Sequence, residues 1–437
     1  MKFALAIALP AAASAACTWS GPYPGEITAT GDDLSDKVSL QEAQAECEKY
    51  DDCVGVDSDW YVGTKFTARA GEFRQDEASY GVTYLKACRG EEMPPITLPR
   101  TVHPSVELTA ELVDTYFTAF KAKHNKVYEN DAEHEERKGH FEASLKRAQE
   151  RNTGLKEHNF GVTKFSDMSV EEFKRTMLTY KPGQRPEVTE TMTATARQLR
   201  GGKFSDTATD KDWRGSATTE VKDQGQCGSC WAFSTAEQVE SAYAMQGGDL
   251  TELSIAQLVQ CDKEDGGCNG GDTVSAYDYV QKAGGLSTES GYPYSSSISR
   301  GNTGRCDSSK IDVVEGTNIK SWKYATPECY NKCDNQDEET LAENMSTMGP
   351  ASICVNAEPW QDYTTGTMSG DTCGGHGYND LDHCVQLVGY SGIGGDDGYW
   401  IVRNSWAGDW GYDGIIRLAY GSNTCGLADE ATFVTLE

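Results

Sequence analysis

The sequence lacks any internal apolar run near the roughly 18 residues that a membrane-spanning helix needs, and it has few basic residues. Its 437 residues include 39 Lys and Arg against 68 Asp and Glu, a formal net charge of −29 at pH 7. A chain this acidic repels the phosphates of nucleic acids and of anionic lipid headgroups. We therefore exclude an integral membrane protein and expect no nucleic-acid partner.

Histidine is also scarce. The chain has seven, and His376 and His383 are the two that lie beyond residue 205. The cysteine spacings do not form the paired C-x-x-C units of zinc sites, so with so few histidines a structural zinc is disfavoured. No βαβ pattern surrounds Cys227-x-x-Cys230, which disfavours a thioredoxin-like redox pair. We predict no metal and no other cofactor.

The N-terminus has the pattern of a secretory signal peptide at residues 1–16. Lys2 precedes a short apolar stretch, and small residues with an A-x-A pattern close it. Cysteines of exported chains form disulfides, and because the count of 15 is odd, at least one has no intramolecular partner. We expect the secretory pathway, with delivery to a lysosome or vacuole or to the cell exterior.

Composition divides the remaining chain. There is a module with four cysteines at 17–90, a proline-rich linker at 91–105, a cysteine-free segment at 106–205, and a segment with eleven cysteines at 206–437. The cysteine-free segment has helical periodicity, with Leu112, Tyr116 and Phe120 on one face and then Phe141 and Leu145. It holds 17 basic and 16 acidic residues, whereas 206–437 holds 13 and 36. Electrostatic docking of the first on the second is one interpretation, and two separately solvated surfaces are the other.

Residues 224–233, with the sequence QGQCGSCWAF, predict a reactive thiol. The pattern opens a helix at Cys230 that runs to about Met245 and stops at Gly247 and Gly248. Backbone N–H groups and the positive dipole end at a helix N-terminus favour a thiolate. In such settings the pKa of a cysteine falls from about 8.5 into roughly the 3.5–7.5 range.

A thiolate nucleophile needs a base that returns a proton to the leaving group. His383 begins a predicted buried strand, whereas His376 lies in a glycine-rich loop, so His383 is the predicted base. Asn404 could hold the imidazole of His383 in one tautomer, and Gln224 could donate its amide to an oxyanion. If all the cysteines were structural, the odd count would still leave one over. The sequence therefore favours nucleophilic catalysis by Cys230.

These residues, in this order, resemble the active-site motifs of the papain family, with cathepsin L-like members. The resemblance extends from about residue 107 to 437. It implies an α+β, two-lobed fold, with a helical lobe and a β-barrel lobe, preceded by a helical propeptide and the small disulfide-rich module. It also implies a cysteine endopeptidase made as a zymogen, with Cys230 and His383 facing each other across a cleft. Hydrolysis and transpeptidation by the same acyl-enzyme both stay open.

Residues 106–205 resemble the inhibitory propeptide of that family. Glu133, Arg137, Phe141 and Asn152 have the spacing of its ERFNIN motif, from which Ser144 and Ala148 depart. Residues 161–167 resemble the GxNxFxD element, with Thr163 in place of Asn. The resemblance implies that the Thr-rich stretch from Lys181 to Asp206 crosses the cleft backwards, and that a cut between Arg200 and Asp206 releases the enzyme.

The resemblance also implies disulfides. It pairs Cys227 with Cys268, Cys261 with Cys306, and Cys373 with Cys425. Cys354 and Cys384 lie on strands expected to be neighbours, and Cys329–Cys333 would be an additional local bridge, which leaves Cys230 free. For the N-terminal module we predict Cys47–Cys53 and Cys17–Cys88.

Substrate peptides and proteins are the expected partners, besides the chain's own propeptide. Gly270 and Gly271 should offer backbone hydrogen bonds to an extended peptide. By resemblance, Glu430 lies at the base of the S2 pocket, where an acid favours Arg as well as apolar side chains at P2; the alternative is that Glu430 turns to solvent. Asp272 adds to the acidic character, and Trp406 walls the primed side. We place Gly270, Gly271, Asp272, Asp382, Trp406 and Glu430 in the substrate-binding set.

Two further features are less specific. Residues 17–90 resemble a PAN/apple-like domain, which would bind glycan or protein, although a structural cap fits equally well. Asn344-Met-Ser346 is a sequon for N-glycosylation on a predicted helix. We expect a monomer. The competing function is a glycan- or protein-binding protein with a vestigial catalytic domain.

Overall fold

A computed structural model describes residues 98–155, 157, 159–182, 203–327, 333, 336–374 and 377–437, the backbone of five strands between residues 18 and 87, and residues 43, 44 and 47. The chain divides into two compact units, Met1–Val127 and Tyr128–Glu437. The predicted signal peptide lies outside the described residues, as do the pairings Cys17–Cys88 and Cys329–Cys333 and residue His376. Cys47 and Cys333 are disulfide-bonded.

The described part of the first unit contains a five-stranded sheet and one long helix. The strands are β1 Thr18–Pro24, β2 Glu26–Ala29, β3 Cys53–Ser58, β4 Phe66–Arg74 and β5 Val82–Ala87, in the order β1-β5-β3-β4-β2. Helix α1, Ala110–Lys123, begins where the Thr109 side chain accepts a hydrogen bond from Leu112 N, and it buries Leu112, Tyr116 and Phe120. The helical periodicity of this stretch is therefore confirmed. The PAN/apple resemblance and the Cys47–Cys53 pairing stay predictions.

The second unit combines helices with a mixed sheet. Its helices are α2 Asp131–Asn152, α3 Val170–Met177, α4 Cys230–Met245, α5 Ile255–Cys261, α6 Thr273–Ala283, α7 Ser296–Ser299 and α8 Glu338–Met348. Its strands are β6 Lys211–Asp212, β7 Ile319–Tyr324, β8 Ala351–Val355, β9 Thr367–Met368, β10 His383–Ser391, β11 Tyr399–Arg403, β12 Ile415–Ala419 and β13 Glu430–Leu436. They form an eight-stranded sheet in the order β7-β13-β8-β10-β11-β12-β9, with β6 on β10.

Helix α4 joins the helical part of this unit to the sheet. Its residues from Cys230 to Ala242 are all buried, and its apolar side chains pack in one core with those of α5 and α6. On the sheet side, Ser234 Oγ donates to Val385 O of β10 at 2.7 Å. The predicted helix from Cys230 to about Met245 is confirmed, and its N-terminus is fixed against both parts of the fold.

Disulfides tie the loops to this frame. The structure has the bonds Cys227–Cys268, Cys261–Cys306, Cys354–Cys384 and Cys373–Cys425. Cys354 and Cys384 are directly opposite each other on β8 and β10. Among the cysteines that the structure describes, Cys230 is free.

Two remaining predictions concern glycosylation of Asn344 and the absence of a membrane-spanning helix. Asn344 lies on α8, and its side-chain nitrogen is buried. Glycosylation of Asn344 stays a prediction. None of the helices in the described part of the chain has the length and apolarity to cross a membrane.

Candidate active site

The candidate nucleophile Cys230 is the first residue of α4 and is fully buried. Burial raises the pKa of its thiol, whereas hydrogen bonds from the backbone of Cys384 and from Thr179 lower it. The sequence predicts a lowered pKa, and that expectation is wrong for this closed state. The helix N-terminus is in place, but water is excluded from the sulfur, and desolvation of the thiolate outweighs the favourable dipole.

The candidate base His383 begins β10 and is also fully buried. Its Nε2 lies 2.9 Å from Oδ1 of Asn404, which also accepts a hydrogen bond from Ser405 N. Because that amide oxygen can only accept, Nε2 carries the proton and Nδ1 keeps its lone pair. Nδ1 has no hydrogen-bond partner among the described residues. Burial lowers the pKa of His383 to about 4, so the imidazole is neutral in this state.

Trp406 contacts His383, and Gln224 binds both Trp406 and the loop before Cys230. The indole of Trp406 stacks on His383 with ring centroids 4.8 Å apart. Gln224 Oε1 accepts hydrogen bonds from Trp406 Nε1 and from Ser405 Oγ, while its Nε2 donates to Cys227 O at 3.0 Å. The amide is thus locked with its nitrogen towards the loop that precedes Cys230.

A segment of the chain itself occupies the cleft. Thr179 Oγ1 lies 3.9 Å from Cys230 Sγ. The next residue, Tyr180, forms a parallel bridge with Gly271 and donates its N–H to Asp382 O at 2.9 Å. A Cβ on Gly270 would collide with Thr179 O, so a side chain at Gly270 would block this approach. The sequence predicts that the crossing begins at Lys181, but the residues over the nucleophile are Thr179 and Tyr180.

The side chain of Tyr180 marks a pocket beside the nucleophile. Tyr180 packs in one buried cluster with Cys230, Tyr378, Leu381 and the Cys354–Cys384 disulfide, and its hydroxyl lies 3.5 Å from that of Tyr378. Burial raises the pKa of Tyr180, and the carboxylates of Glu430 and Asp272 raise it further.

The predicted acids of the substrate-binding set take different positions. Glu430 is 1% exposed at the start of β13, so it does not turn to solvent. Asp272 caps α6 by accepting a hydrogen bond from Val274 N. The carboxyl of Asp382 accepts from Ala357 N, and burial raises its pKa to about 7. Asp382 therefore faces the cleft segment with its backbone carbonyl.

Residues that precede Thr179 and Tyr180 in the chain form a second contact region with the peptidase part of the unit. Phe165 and Phe173 pack edge-on against Trp406, with ring centroids 5.2 and 5.3 Å away. Thr163 Oγ1 donates to Gln361 O at 2.6 Å. Thr163, which replaces the Asn of the GxNxFxD element, therefore still forms a hydrogen bond with the loop that faces it.

One buried carboxylate in that loop binds helix α2. Asp362 is fully buried and accepts hydrogen bonds from Ser144, Arg147 and Arg151 at 2.7–3.0 Å. These pairs and Lys164–Asp409 at 3.0 Å favour the interpretation of electrostatic docking over that of two separately solvated surfaces. Sequence reasoning missed Asp362, Thr179 and Tyr180. For Asp362 the available signal was the regular spacing of arginines on α2, whereas no sequence feature marked Thr179 or Tyr180.

Comparisons with known proteins agree with this arrangement. Residues 207–435 match the model of the papain family cysteine proteases, and residues 117–173 match the cathepsin propeptide inhibitor domain. Digestive cysteine proteinase 1 of Homarus americanus is 37% identical over 328 residues, which cover 72% of this chain and 93% of the relative. Cysteine proteinase 1 of Zea mays is 35% identical over 341 residues, covering 74% and 85%.

Solved structures give the same result. Digestive procathepsin L2 proteinase from the larval midgut of Tenebrio molitor has a TM-score of 0.61 and 30% identity, covering 74% of this chain and 100% of the other. A recombinant stem bromelain precursor has a TM-score of 0.60 and 27% identity, covering 74% and 99%. Both solved proteins are precursor forms by name, a procathepsin and a bromelain precursor.

Proposed function

Since the chain belongs to the papain family of cysteine proteases and carries that family's propeptide inhibitor domain, we propose that residues 206–437 are an endopeptidase held inactive by residues 106–205. The observation that carries this proposal is the position of Thr179 and Tyr180. They lie against Cys230 and Gly271, where a substrate peptide would have to bind. A chain that blocks its own nucleophile in this way is a zymogen.

The proposed chemistry follows from the hydrogen bonds of His383. With Nε2–H held by Asn404, the lone pair on Nδ1 takes the proton of Cys230 once the propeptide leaves. The thiolate attacks the substrate carbonyl, and the imidazolium then protonates the leaving amine. Water hydrolyses the resulting thioester and restores the thiol. Asn404 acts through His383 and is a positioning residue.

Two donors are proposed to stabilise the oxyanion that forms during attack. The first is the N–H of Cys230 at the N-terminus of α4, where backbone N–H groups lack partners within the helix. The second is the amide of Gln224, whose orientation is fixed by Ser405 and Trp406. Because both are preorganised, they stabilise the developing charge without rearrangement.

We further propose that maturation occurs in an acidic compartment of the secretory pathway or after export, by a cut between Arg200 and Asp206. Acid protonates carboxylates that bind the propeptide, which loosens it and lets the peptidase cut the chain. To test this, the precursor and a Cys230→Ser variant are incubated at pH 4 and pH 7, and fragments are identified by intact mass. Equal processing at both pH values, or processing of the variant, would count against self-activation.

The pocket that holds Tyr180 is the proposed P2 pocket, and Glu430 gives it tolerance for Arg as well as apolar side chains. The activated enzyme is compared with Glu430→Gln and Glu430→Ala on two substrates that differ only in Arg or Leu at P2. We expect the Arg/Leu ratio of kcat/KM to fall in both variants, and the Leu substrate to be cleaved by all three enzymes. A ratio that does not change would contradict this role of Glu430.

A further inference from the structure

Tyr294 lies two residues before helix α7 and contacts the loop that carries both proposed oxyanion donors. Its hydroxyl donates to Gln224 O at 3.0 Å and lies 2.9 Å from Ser229 Oγ. Gln224 supplies the side-chain donor, and the peptide bond between Ser229 and Cys230 carries the backbone donor. One tyrosine hydroxyl therefore joins the two residues whose backbone sets the positions of both donors.

The directions of these two hydrogen bonds follow from the single proton on the tyrosine hydroxyl. A backbone carbonyl only accepts, so the Tyr294 proton points to Gln224 O. The hydroxyl oxygen of Tyr294 then accepts the proton of Ser229 Oγ, for which the alternative acceptor, Cys227 O, is farther away at 3.3 Å. Burial raises the pKa of Tyr294, so its hydroxyl keeps the proton on which this chain of hydrogen bonds depends.

Both the backbone and the ring of Tyr294 are held in place. Its backbone N–H donates to Glu289 Oε1 at 2.6 Å, and its ring packs edge-on against Phe233 with centroids 5.1 Å apart. Phe233 lies about one turn after Cys230 on helix α4. The hydroxyl of Tyr294 therefore has a fixed position relative to the start of α4.

The backbone of Gln224 depends on this hydroxyl. Its carbonyl oxygen accepts a second hydrogen bond from Cys227 N, at 3.3 Å, which is longer than the usual range for N–H···O bonds. In the closed form the side-chain nitrogen of Gln224 donates to Cys227 O, so its approach to a substrate oxygen depends on where this backbone lies. A displacement of about 1 Å in an active site can cost about 100-fold in rate, so small shifts of this backbone matter.

We propose that Tyr294 is a positioning residue for the oxyanion site, because its hydroxyl fixes the spacing between the amide of Gln224 and the N–H of Cys230. The proposal rests on the peptidase function proposed above. Tyr294 acts through these two donors, which bind the oxygen of the substrate only once it carries negative charge. Loss of the hydroxyl should therefore lower kcat and leave KM nearly unchanged.

The test uses the mature enzyme released from the full-length precursor, with Tyr294→Phe as the variant. Phe keeps the ring that packs on Phe233 and removes the hydroxyl. We expect kcat on a peptide substrate with Leu at P2 to fall about tenfold, the upper range for the net contribution of one hydrogen bond, while KM changes less than about twofold. An epoxide inhibitor that reacts with papain-type thiolates counts the active sites, so that kcat is expressed per reactive Cys230.

Tyr292→Phe is the matched control. Tyr292 is buried two residues away, and its hydroxyl likewise forms hydrogen bonds, to Gln260 Oε1 at 2.7 Å and from Asp307 N at 2.9 Å. Neither of these bonds involves the loop at 224–230. The control variant loses comparable hydrogen bonds, but its kcat and KM should equal those of the wild type.

Two peptide inhibitors separate an effect on the oxyanion from an effect on binding. The Cys230 thiolate attacks acetyl-Leu-Leu-norleucinal, so that a C–S bond forms and the carbonyl electron pair moves to the oxygen, which enters the oxyanion site. The matching alcohol, acetyl-Leu-Leu-norleucinol, occupies the same pockets without this addition. In Tyr294→Phe the inhibition constant of the aldehyde should rise about tenfold and that of the alcohol should not change. In Tyr292→Phe neither constant should change.

A double-variant cycle tests whether Tyr294 acts through Gln224. Once Gln224→Ala has removed the side-chain donor, adding Tyr294→Phe should lower kcat by less than about threefold, since both changes affect one interaction. Ser229→Ala removes the second hydrogen bond of the Tyr294 hydroxyl and leaves the ring in place. This variant should lower kcat about threefold, and it replaces Tyr294→Phe if the latter yields no folded enzyme.

Four results would overturn the positioning role of Tyr294. They are an unchanged kcat in Tyr294→Phe, an equal loss in Tyr292→Phe, an undiminished loss in the Gln224→Ala background, and aldehyde and alcohol constants that change together. If Tyr294→Phe gives no labelled enzyme, an unchanged kcat in Ser229→Ala overturns the role instead. A wild-type enzyme that cleaves no peptide would overturn the proposed function and not the positioning role alone.

Discussion

The contact of helix α2 with Asp362 predicts how firmly the propeptide closes the cleft. Asp362 has a fully buried side chain, and Arg147 and Arg151 bind its two oxygens at 2.7–3.0 Å with side chains that are 22% and 23% exposed. When the propeptide leaves, water can hydrate the carboxylate. The two arginines are therefore needed in the closed state and not in the open one.

The perturbation is the double variant Arg147→Met, Arg151→Met, which keeps the packing of the side-chain stems and removes both cations. Removing the partner of a buried charge costs about 3–5 kcal/mol. Because the arginines are partly exposed and Ser144 still donates to Asp362, we take the lower end, about 3 kcal/mol. Since each 1.4 kcal/mol is tenfold, the fraction of open precursor should rise about 100-fold.

The assay is the rate at which a small alkylating reagent modifies Cys230 in the uncut precursor at pH 7. Cys230 is buried in the closed form, so the rate reports the population of open molecules. Lys146→Met is the control, because Lys146 pairs with Glu142 on the same helix and is 57% exposed. Its rate should stay within about twofold of the wild type.

A third substitution tests whether the unpaired charge of Asp362 is what opens the double variant. Adding Asp362→Asn to the double variant removes the carboxylate that has lost its cations, so part of the closure should return. If the Arg147→Met, Arg151→Met variant is alkylated at the same rate as the wild type, the contact of the two arginines with Asp362 does not hold the cleft closed. A triple variant that opens more than the double variant would likewise contradict this role of Asp362.

Three other changes follow from the site. Acid should open the precursor through His383. The pKa of His383 is about 4 in the closed form against an ordinary value of 6.5, so neutral His383 favours the closed form above pH 6.5. The free energy that favours closure should fall by about 3 kcal/mol as the pH falls to 4. Hydrogen exchange of the amides of residues 179–181, corrected for intrinsic rates, should increase over that range in Cys230→Ser, and a flat profile would contradict this. Gln224→Ala should lower kcat of the mature enzyme about 100-fold with little change in KM, and an unchanged kcat would remove Gln224 from the oxyanion site. Phe173→Ala, which opens a cavity against Trp406, should destabilise the closed form by about 3–5 kcal/mol, and an alkylation rate of Cys230 equal to that of the wild type would contradict it.

Local patterns predicted the helices and the placement of the nucleophile. Helix α4 could be predicted because its N-terminal cysteine motif and its terminating glycines are local signals. The apolar period of α1 and α2 likewise needs no information from distant residues. The order of Cys230, His383 and Asn404 predicted the chemistry only together with the family resemblance. The resemblance, and not the order, implies that these side chains lie close together.

The features that the sequence did not predict depend on contacts between distant segments. Burial of the sulfur raises the pKa of Cys230 although hydrogen bonds from Thr179 lower it, whereas the helix N-terminus alone predicts a lowered pKa. The register of the cleft segment could not be predicted, since Thr179 and Tyr180 end a helical region without a motif. Asp362 is one of many acids in an acidic domain, and only its burial under α2 distinguishes it.

The central claim is that Cys230 is a free, reactive thiol in a cleft that the propeptide closes. The most direct measurement is reaction of the acid-treated protein with an epoxide inhibitor that is selective for papain-type thiolates, followed by intact mass, with Cys230→Ser as the control. We predict a single adduct on a fragment that begins between residues 200 and 206, and none in the control or in the uncut precursor at pH 7. An unlabelled chain that stays uncut after acid treatment would contradict the claim and favour a binding protein with an inactive peptidase domain.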